Sequence, residues 1–346
     1  MKKLISVIVS MILVLSALTA CGSSASTATT AATTAPAATE AVTEAVTEAA
    51  TEAVPEFKVA IVQQLDHSSL DEIRVAIENT LTAAQGVKIT FKSFNGQNDN
   101  SMLNQIGAQV VADDYDAIIP IATLAAQCMA TATEGTDTPV VYAAISDPEA
   151  AGLLDIPNVT GTSDALNTPF ILDMMLSVQP DVKTVGLLYS NSEANSLTPI
   201  AQAKEYLDSK GIAYIEKTGN TTDEILTAAS ALAGRVDAVF TPTDNVVMAA
   251  ENAVAEVLTS AGIPHYTGAD SFVAAGAFTT SGVNYTELGT YTANMLIDIL
   301  LGGEYPEYHV MEGGIITVNT DTAAALNLDY TPFKSMANTV VEVTTG

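Results

Sequence analysis

The chain has 346 residues, with 12 Lys and Arg against 40 Asp and Glu, no Trp, two Cys and a formal net charge of −28. So acidic a surface repels phosphate backbones and anionic headgroups, which argues against a nucleic-acid partner or electrostatic docking on a membrane. Two cysteines build neither a disulfide scaffold nor a thiolate metal cluster.

At the start, Lys2 and Lys3 precede an apolar run from Leu4 to Ala20, the n-region and h-region of a secretory signal rather than a membrane span. The run ends Leu18-Thr19-Ala20-Cys21 and continues Gly22-Ser23-Ser24, which reads as a lipobox. Residues 1–20 are then a lipoprotein signal peptide and Cys21 the lipidated N-terminus. An ordinary signal peptide, or a short anchor helix with a chance cysteine, is the alternative. Residues 21–56 are mostly Thr, Ala, Ser, Val and Glu in a loose four-residue repeat, without aromatics, Lys or Arg. Such a segment buries too little apolar surface to offset its ordering entropy, so it is expected to be a solvated tether. Lys2, Lys3 and the five glutamates up to Glu56 account for only −3 of the charge, and −25 belongs to the remainder. The expected location is extracytoplasmic, held to the cell membrane by the lipid.

From Phe57 onward β-branched runs alternate with amphipathic stretches, the pattern of parallel α/β architecture, over a length suited to two domains. Expected strands are Lys58–Gln63, Lys88–Phe94, Asp116–Ile121, Pro139–Ile145 and Asn158–Gly161, with helices at Ser69–Ala84, Asn100–Ala112 and Thr123–Ala132. Cys128 falls on the last of these as a small buried hydrophobe. A second series has strands at Thr184–Tyr189, Ala213–Lys217, Asp237–Thr241, Pro264–Thr267 and Ala277–Thr280, and helices at Ser196–Ser209, Thr222–Ala233 and Asn245–Ala261. The series correspond. Tyr115-Asp116-Ala117-Ile118-Ile119 before Thr123 matches Val236-Asp237-Ala238-Val239-Phe240 before Thr243-Asp244, and Ser146-Asp147 matches Ala269-Asp270. The fold class is α/β: two doubly wound Rossmann-like domains whose ligand crevice lies beyond the carboxyl ends of the strands.

Those strand ends carry hydrogen-bonding side chains. The first copy offers Gln63, Gln64, Asp66 and His67, then Thr123, then Ser146-Asp147; the second offers Ser190, Asn191, Glu193, Asn195 and Ser196, then Thr243-Asp244-Asn245, then Asp270-Ser271. Helix capping is the competing role for any single member.

Several stretches resemble the bacterial ABC-transporter substrate-binding lipoproteins of the tryptophan/tyrosine-type solute-binding group. They are His67-Ser68-Ser69-Leu70-Asp71, Ala122-Thr123-Leu124-Ala125-Ala126-Gln127, Asp147-Pro148 with Ala151-Gly152-Leu153, the run Tyr189 to Ser196, Pro242-Thr243-Asp244-Asn245, and Tyr285-Thr286-Glu287-Leu288-Gly289. Leu124 stands where proline is frequent. The resemblance implies a type I periplasmic binding protein fold with three interdomain crossovers, hinges near Gly161–Ser163, Ser281–Asn284 and Tyr308–Met311, and a small ligand captured by domain closure. It places the N-terminal lobe at 57–161 plus 283–309 and the C-terminal lobe at 162–282 plus 310–346. It also implies an ABC permease with its ATPase as partner, and an aromatic amino acid (Trp, Tyr or Phe) as ligand. The chain is expected to act as a monomer.

How such a chain holds a zwitterion follows from its residues. Arg235 precedes its strand and Arg74 lies more than a turn into its helix, so neither clamps a ligand carboxylate. Main-chain N–H groups at helix N-termini remain, with Thr123-Leu124-Ala125 and the turn at Ser146 as candidates. For the ligand ammonium the candidates are Asp244 and Asp270. Burying an aromatic side chain supplies about 4–6 kcal/mol against the ~8 kcal/mol of a micromolar complex, so polar anchoring must supply the rest. The expected ligand contacts are Gln63, Leu65, Thr123, Leu124, Ser146 and Asp147 from one lobe, and Tyr189, Glu193, Asn195, Ser196, Asp244, Asn245, Asp270 and Ser271 from the other.

His67, His265 and His309 lack metal-ligand spacing, and Asp113-Asp114-Tyr115-Asp116 lacks the glycine and terminal glutamate of a calcium loop. No phosphate loop or nucleophile elbow occurs. Neither a cofactor nor an enzymatic activity is expected. The alternatives are a ligand-binding sensory module signalling to a membrane partner, and an anchored α/β hydrolase.

Overall fold

The structure is a computed structural model describing residues 54–345; the signal-like start, Cys21 and nearly all of the tether lie outside the described residues. Its first half runs β1 (Glu56–Gln63), α1 (Ser68–Ala83), β2 (Lys88–Asn95), α2 (Asn100–Ala112), β3 (Ala117–Ile121), α3 (Thr123–Ala132), β4 (Val140–Tyr142) and β5 (Val159–Ser163). The second series is α4 (Thr168–Val178), β6 (Thr184–Tyr189), α5 (Ala194–Lys210), β7 (Ala213–Thr218), α6 (Thr222–Leu232), β8 (Ala238–Thr241), α7 (Asn245–Met248), α8 (Glu251–Ser260), β9 (His265–Thr267), α9 (Asp270–Ala274) and β10 (Thr279–Gly282). After it come α10 (Tyr285–Leu300), β11 (His309–Val310), β12 (Ile315–Asn319), α11 (Thr320–Ala325) and β13 (Thr339–Val343). β1 takes in Glu56, the last residue of the segment read as tether. Among the described residues, no helix is long and apolar enough to cross a membrane.

Two sheets result, with the same internal order. The first is β11-β5-β4-β3-β1-β2 and the second is β13-β12-β10-β9-β8-β6-β7. Every pairing in the first is parallel, and in the second only β10 with β12 is antiparallel. Winding reverses between β1 and β3 in one sheet and between β6 and β8 in the other. These are the switch points where the connections diverge to opposite faces and leave a crevice. The chain passes between sheets three times: from β5 into α4, from β10 into α10, and from β11 into β12.

Burial explains the strands. Val59-Ala60-Ile61-Val62 of β1 and all of β3 are shielded on both faces, as central parallel strands require, while β2 at the sheet edge alternates. Asp99, Asn167, Thr221, Asn284 and Asn319 cap α2, α4, α6, α10 and α11 by accepting a first-turn N–H. The Tyr285–Gly289 motif works structurally. A Cβ at Gly289 would stand 2.5 Å from the Ile73 carbonyl, so glycine lets α10 lie close on α1.

Two expected elements differ. The strand read at Pro139–Ile145 shrinks to three residues because Ala144 turns left-handed, at φ 59°. The helix read at Asn245–Ala261 breaks at Ala249-Ala250 into the single turn α7 and the longer α8, with no glycine or proline marking the break.

Candidate functional site

The loops at both switch points meet. After β1 come Gln64 and His67, after β3 Thr123 and Leu124, after β6 Ser190 to Ser196, and after β8 Thr243 to Asn245. Their side chains join into one buried chain. The Leu124 N–H donates to Gln64 Oε1 at 3.0 Å, and Gln64 Nε2 donates to Glu193 Oε1 at 2.8 Å across the lobes. Asn245 Nδ2 donates to Glu193 Oε2 at 2.6 Å, and Asn245 Oδ1 lies 3.0 Å from His67 Nε2, back in the first lobe.

Further bonds close the lobes around this chain. Ser146 Oγ donates to Asp164 Oδ1 at 2.9 Å and lies 3.0 Å from Thr243 Oγ1. Thr198 Oγ1 donates to Asp147 Oδ2 at 2.7 Å, and the Ser69 and Ser271 hydroxyls bond directly. Asn195 Nδ2 holds the Thr243 carbonyl at 2.7 Å, fixing the β8 turn from within its own lobe. The structure is therefore a closed arrangement.

Charge distinguishes this region. Glu193, Asp244 and Asp164 are buried, and among the described residues no Lys, Arg or His forms an ion pair with any of them. Glu193 is pushed up to about 7, first by burial and then by the neighbouring Asp244 charge. Burial also raises Asp244, although Ser196 Oγ (2.6 Å), Ser190 N–H (2.7 Å) and Val247 N–H (3.0 Å) all donate to it. Asp164 is raised by burial as well, with the Ser146 and Tyr285 hydroxyls as donors.

Two polar atoms here are shielded from solvent and have no hydrogen-bond partner: Thr123 Oγ1, in the first turn of α3, and His67 Nδ1. Strain collects at the same place. Ala122 (φ 74°) and Ala144 (φ 59°) take positive φ just after β3 and β4, which costs on the order of 1–3 kcal/mol each, and Ala122 does so as the N-cap that starts α3.

Other expected residues stand apart from this chain. Gln63, one position before Gln64, spends its amide on the Leu65 carbonyl, Asp66 and Asp71 and accepts from Arg74. Leu65 packs partly buried against the apolar core. The Tyr189 ring belongs to the second-lobe core, and its hydroxyl donates to Glu216 at 2.8 Å. Asp270 sits half-buried at the start of α9, raised first by burial and then by Glu72. Arg74 is held by Asp71 and Glu78, and Arg235 is exposed ahead of β8. Sequence reasoning did not single out Gln64, His67, Asp164 or Tyr285 as contacts. A cavity of about 810 Å³ lies against the crossovers and meets the cluster only at Asp164. Buried acids without an ion-pair partner, one of them bonded across the lobes, and two orphaned polar atoms beside them locate the site, rather than size.

Two doubly wound lobes, three crossovers and a polar site shared by facing strand ends define a two-lobed receptor for a small solute. Residues 58–333 match the family described as ABC transporter substrate binding protein, and the chain belongs to that family. Its members are extracytoplasmic solute-binding proteins that serve an ABC permease. The chain is 31% identical over 283 residues to a tyrosine-binding protein of Clostridioides difficile, covering 78% of this chain and 81% of the relative. A crystal structure from Streptococcus pneumoniae in complex with L-Trp is 30% identical, with a TM-score of 0.76 over 83% of this chain and all of the other. A ligand-free, open substrate-binding protein with adhesive properties from Clostridium difficile is 31% identical but scores 0.63 over 84% of this chain and all of the other. At equal identity, a lower score against the open form is what rigid rotation of one lobe produces, in keeping with the interlobe bonds.

Proposed function

We propose that the chain binds the zwitterion of an aromatic amino acid between its lobes and presents it to an ABC permease. The observation that carries this reading is the position of the Gln64 carboxamide. Its oxygen takes the Leu124 N–H at the start of α3, where a ligand carboxylate finds N–H donors and the positive end of the helix dipole. Its nitrogen faces Glu193, where a ligand ammonium finds a buried carboxylate in need of a cation. Gln64 thus bridges in neutral form the two anchors that a zwitterion spans with charge. The orphaned Thr123 hydroxyl adds a donor on the carboxylate side.

Of the acids, Glu193 suits the ammonium best. Asp244 already accepts three donors from its own lobe, and Asp270 sits at the half-buried rim. The relatives named for tyrosine and bound to L-Trp support an aromatic side chain. In this reading Cys21 carries the lipid, residues 21–56 are the tether, and a monomer opens and closes about the crossovers, with lobes at 57–161 plus 283–309 and 162–282 plus 310–346. Calorimetry of the purified protein against the amino acids is the test: binding confined to Tyr, Trp or Phe supports the assignment, and no heat with any amino acid removes it. Labelling with a radioactive fatty acid checks the anchor, which Cys21→Ala should abolish.

A further inference from the structure

We propose that His67 selects among aromatic ligands, admitting side chains that carry an N–H or O–H donor (a phenol or an indole) and disfavouring a bare ring. The proposal rests on the aromatic amino-acid reading and adds a rule for which member of that class is taken.

The argument starts from a donor of known direction. A backbone N–H can only donate, so the Leu124 N–H fixes Gln64 with its oxygen toward α3 and its NH₂ toward Glu193. With Glu193 ionised opposite a ligand ammonium, its second oxygen accepts, and the Asn245 amide must present its NH₂ there. The Asn245 oxygen is thereby turned toward His67, whose Nε2 has to carry the hydrogen. Burial lowers the His67 pKa, ahead of the opposing effects of the Asn245 bond and the charges of Asp71 and Asp66, which favours the neutral ring. A neutral imidazole with hydrogen on Nε2 has a bare lone pair on Nδ1. Nδ1 is shielded from solvent without any partner, although another edge of the ring remains partly exposed. The chain that begins at a main-chain donor therefore ends at an unsatisfied acceptor.

Leaving such an acceptor unpaired is costly, and a ligand that donates to it recovers the cost. The ammonium is not the natural candidate, because Glu193 attracts it with full charge. A side-chain hydroxyl or indole N–H satisfies Nδ1, and a phenyl ring cannot. A site built to bond a substrate hydroxyl discriminates strongly against the analogue that lacks it.

The experiment is calorimetric titration of the wild-type protein and of His67→Leu with L-tyrosine, L-tryptophan and L-phenylalanine. In the wild type, Tyr or Trp should bind at least 10-fold more tightly than Phe. In His67→Leu that preference should fall to within about 2-fold, Tyr and Trp losing more than Phe, because the variant removes the acceptor, while loss of the His67–Asn245 bond weakens all three together. Equal wild-type affinity for all three overturns the donor rule and leaves the aromatic reading standing. A variant that loses all three ligands alike shows a structural role for His67 and also overturns the rule. Absence of wild-type binding to any of the three removes the aromatic reading, and the rule with it. Equal wild-type affinities overturn the rule even if the variant does not fold.

Discussion

The second lobe buries two acidic sites that differ in one respect. In one, Glu251 Oε1 at the start of α8 lies 2.9 Å from His265 Nδ1, with Oε2 buried and unpartnered, while His265 Nε2 lies 2.8 Å from the Thr241 hydroxyl. In the other, Glu193 and Asp244 lie together with amides, hydroxyls and backbone N–H groups but no cation. The first acid has its hydrogen-bond partner within the same lobe and joins β8, β9 and α8. The second relies on neutral donors, one of them from the opposite lobe, and so its charge balance depends on what enters the cleft. Burial alone does not mark a functional acid, since it raises Glu251 as it does Glu193; burial with a partner drawn from the facing lobe does.

Removing the internal partner should have the largest effect. His265→Ala leaves a buried Glu251 oxygen and the Thr241 hydroxyl without partners and should destabilise the fold by about 2–4 kcal/mol, seen as a lower midpoint in urea, with ligand affinity unchanged where the protein remains folded. A loss of affinity as large as the loss of stability would erase the distinction between the two sites.

Glu193→Gln should do the opposite. It keeps the shape and removes the charge, and only one of the amide donors from Gln64 and Asn245 still meets an oxygen, so amino-acid affinity should fall about 100-fold, roughly 2.7 kcal/mol, while the ligand-free protein loses at most about 1 kcal/mol. A drop in stability with binding intact would make Glu193 a structural acid.

Titration gives a third contrast. Because folding raises Glu193 from 4.5 to about 7, the native state holds the proton more tightly than the unfolded chain. The ligand-free protein should lose stability, on the order of 1–3 kcal/mol, as pH rises from about 4.5 through 7. Saturating ligand should flatten that slope, because an ammonium then replaces the proton. Thermal melts across this range, with and without ligand, check it; a slope indifferent to ligand would place the ammonium elsewhere.

The smallest effect concerns closure. Gln64→Ala deletes bonds to Leu124 and Glu193 worth about 1 kcal/mol each, which should shift the ligand-free protein toward an open form with a larger radius of gyration in solution scattering. An unchanged radius in the variant would show that the remaining interlobe contacts set the closed state.

How much was legible in the sequence depends on the feature. Parallel strands buried on both faces write themselves as β-branched runs, so β1, β3, β6 and β8 and the polar turns after them could be read directly. Thr123, Leu124, Ser146, Glu193, Asn195, Ser196, Asp244, Asn245 and Ser271 are all expected at the strand ends, and the structure places Leu124, Ser146, Glu193, Asn245 and Ser271 in hydrogen bonds that join the facing loops. Gln63 and Gln64 show the limit. Successive side chains at a strand end point to opposite sides, and two adjacent glutamines carry no sign of which faces the partner lobe. Tyr189 resembles a slot residue by position, yet its ring completes the second-lobe core. Asp164 is a lone acid in the polar, alanine-containing crossover Thr162-Ser163-Asp164-Ala165, a signal that was present but unread. His67 lay inside a quoted motif, but only the direction of the hydrogen-bond chain shows what its free nitrogen lacks.

An ammonium site at Glu193 makes affinity depend on the ligand's amine, so the decisive comparison is calorimetry at pH 8 of the amino acid that binds most tightly against its des-amino analogue, identical in ring and carboxylate. A loss of at least 100-fold on removing the amine is the predicted result, and equal affinity would contradict it.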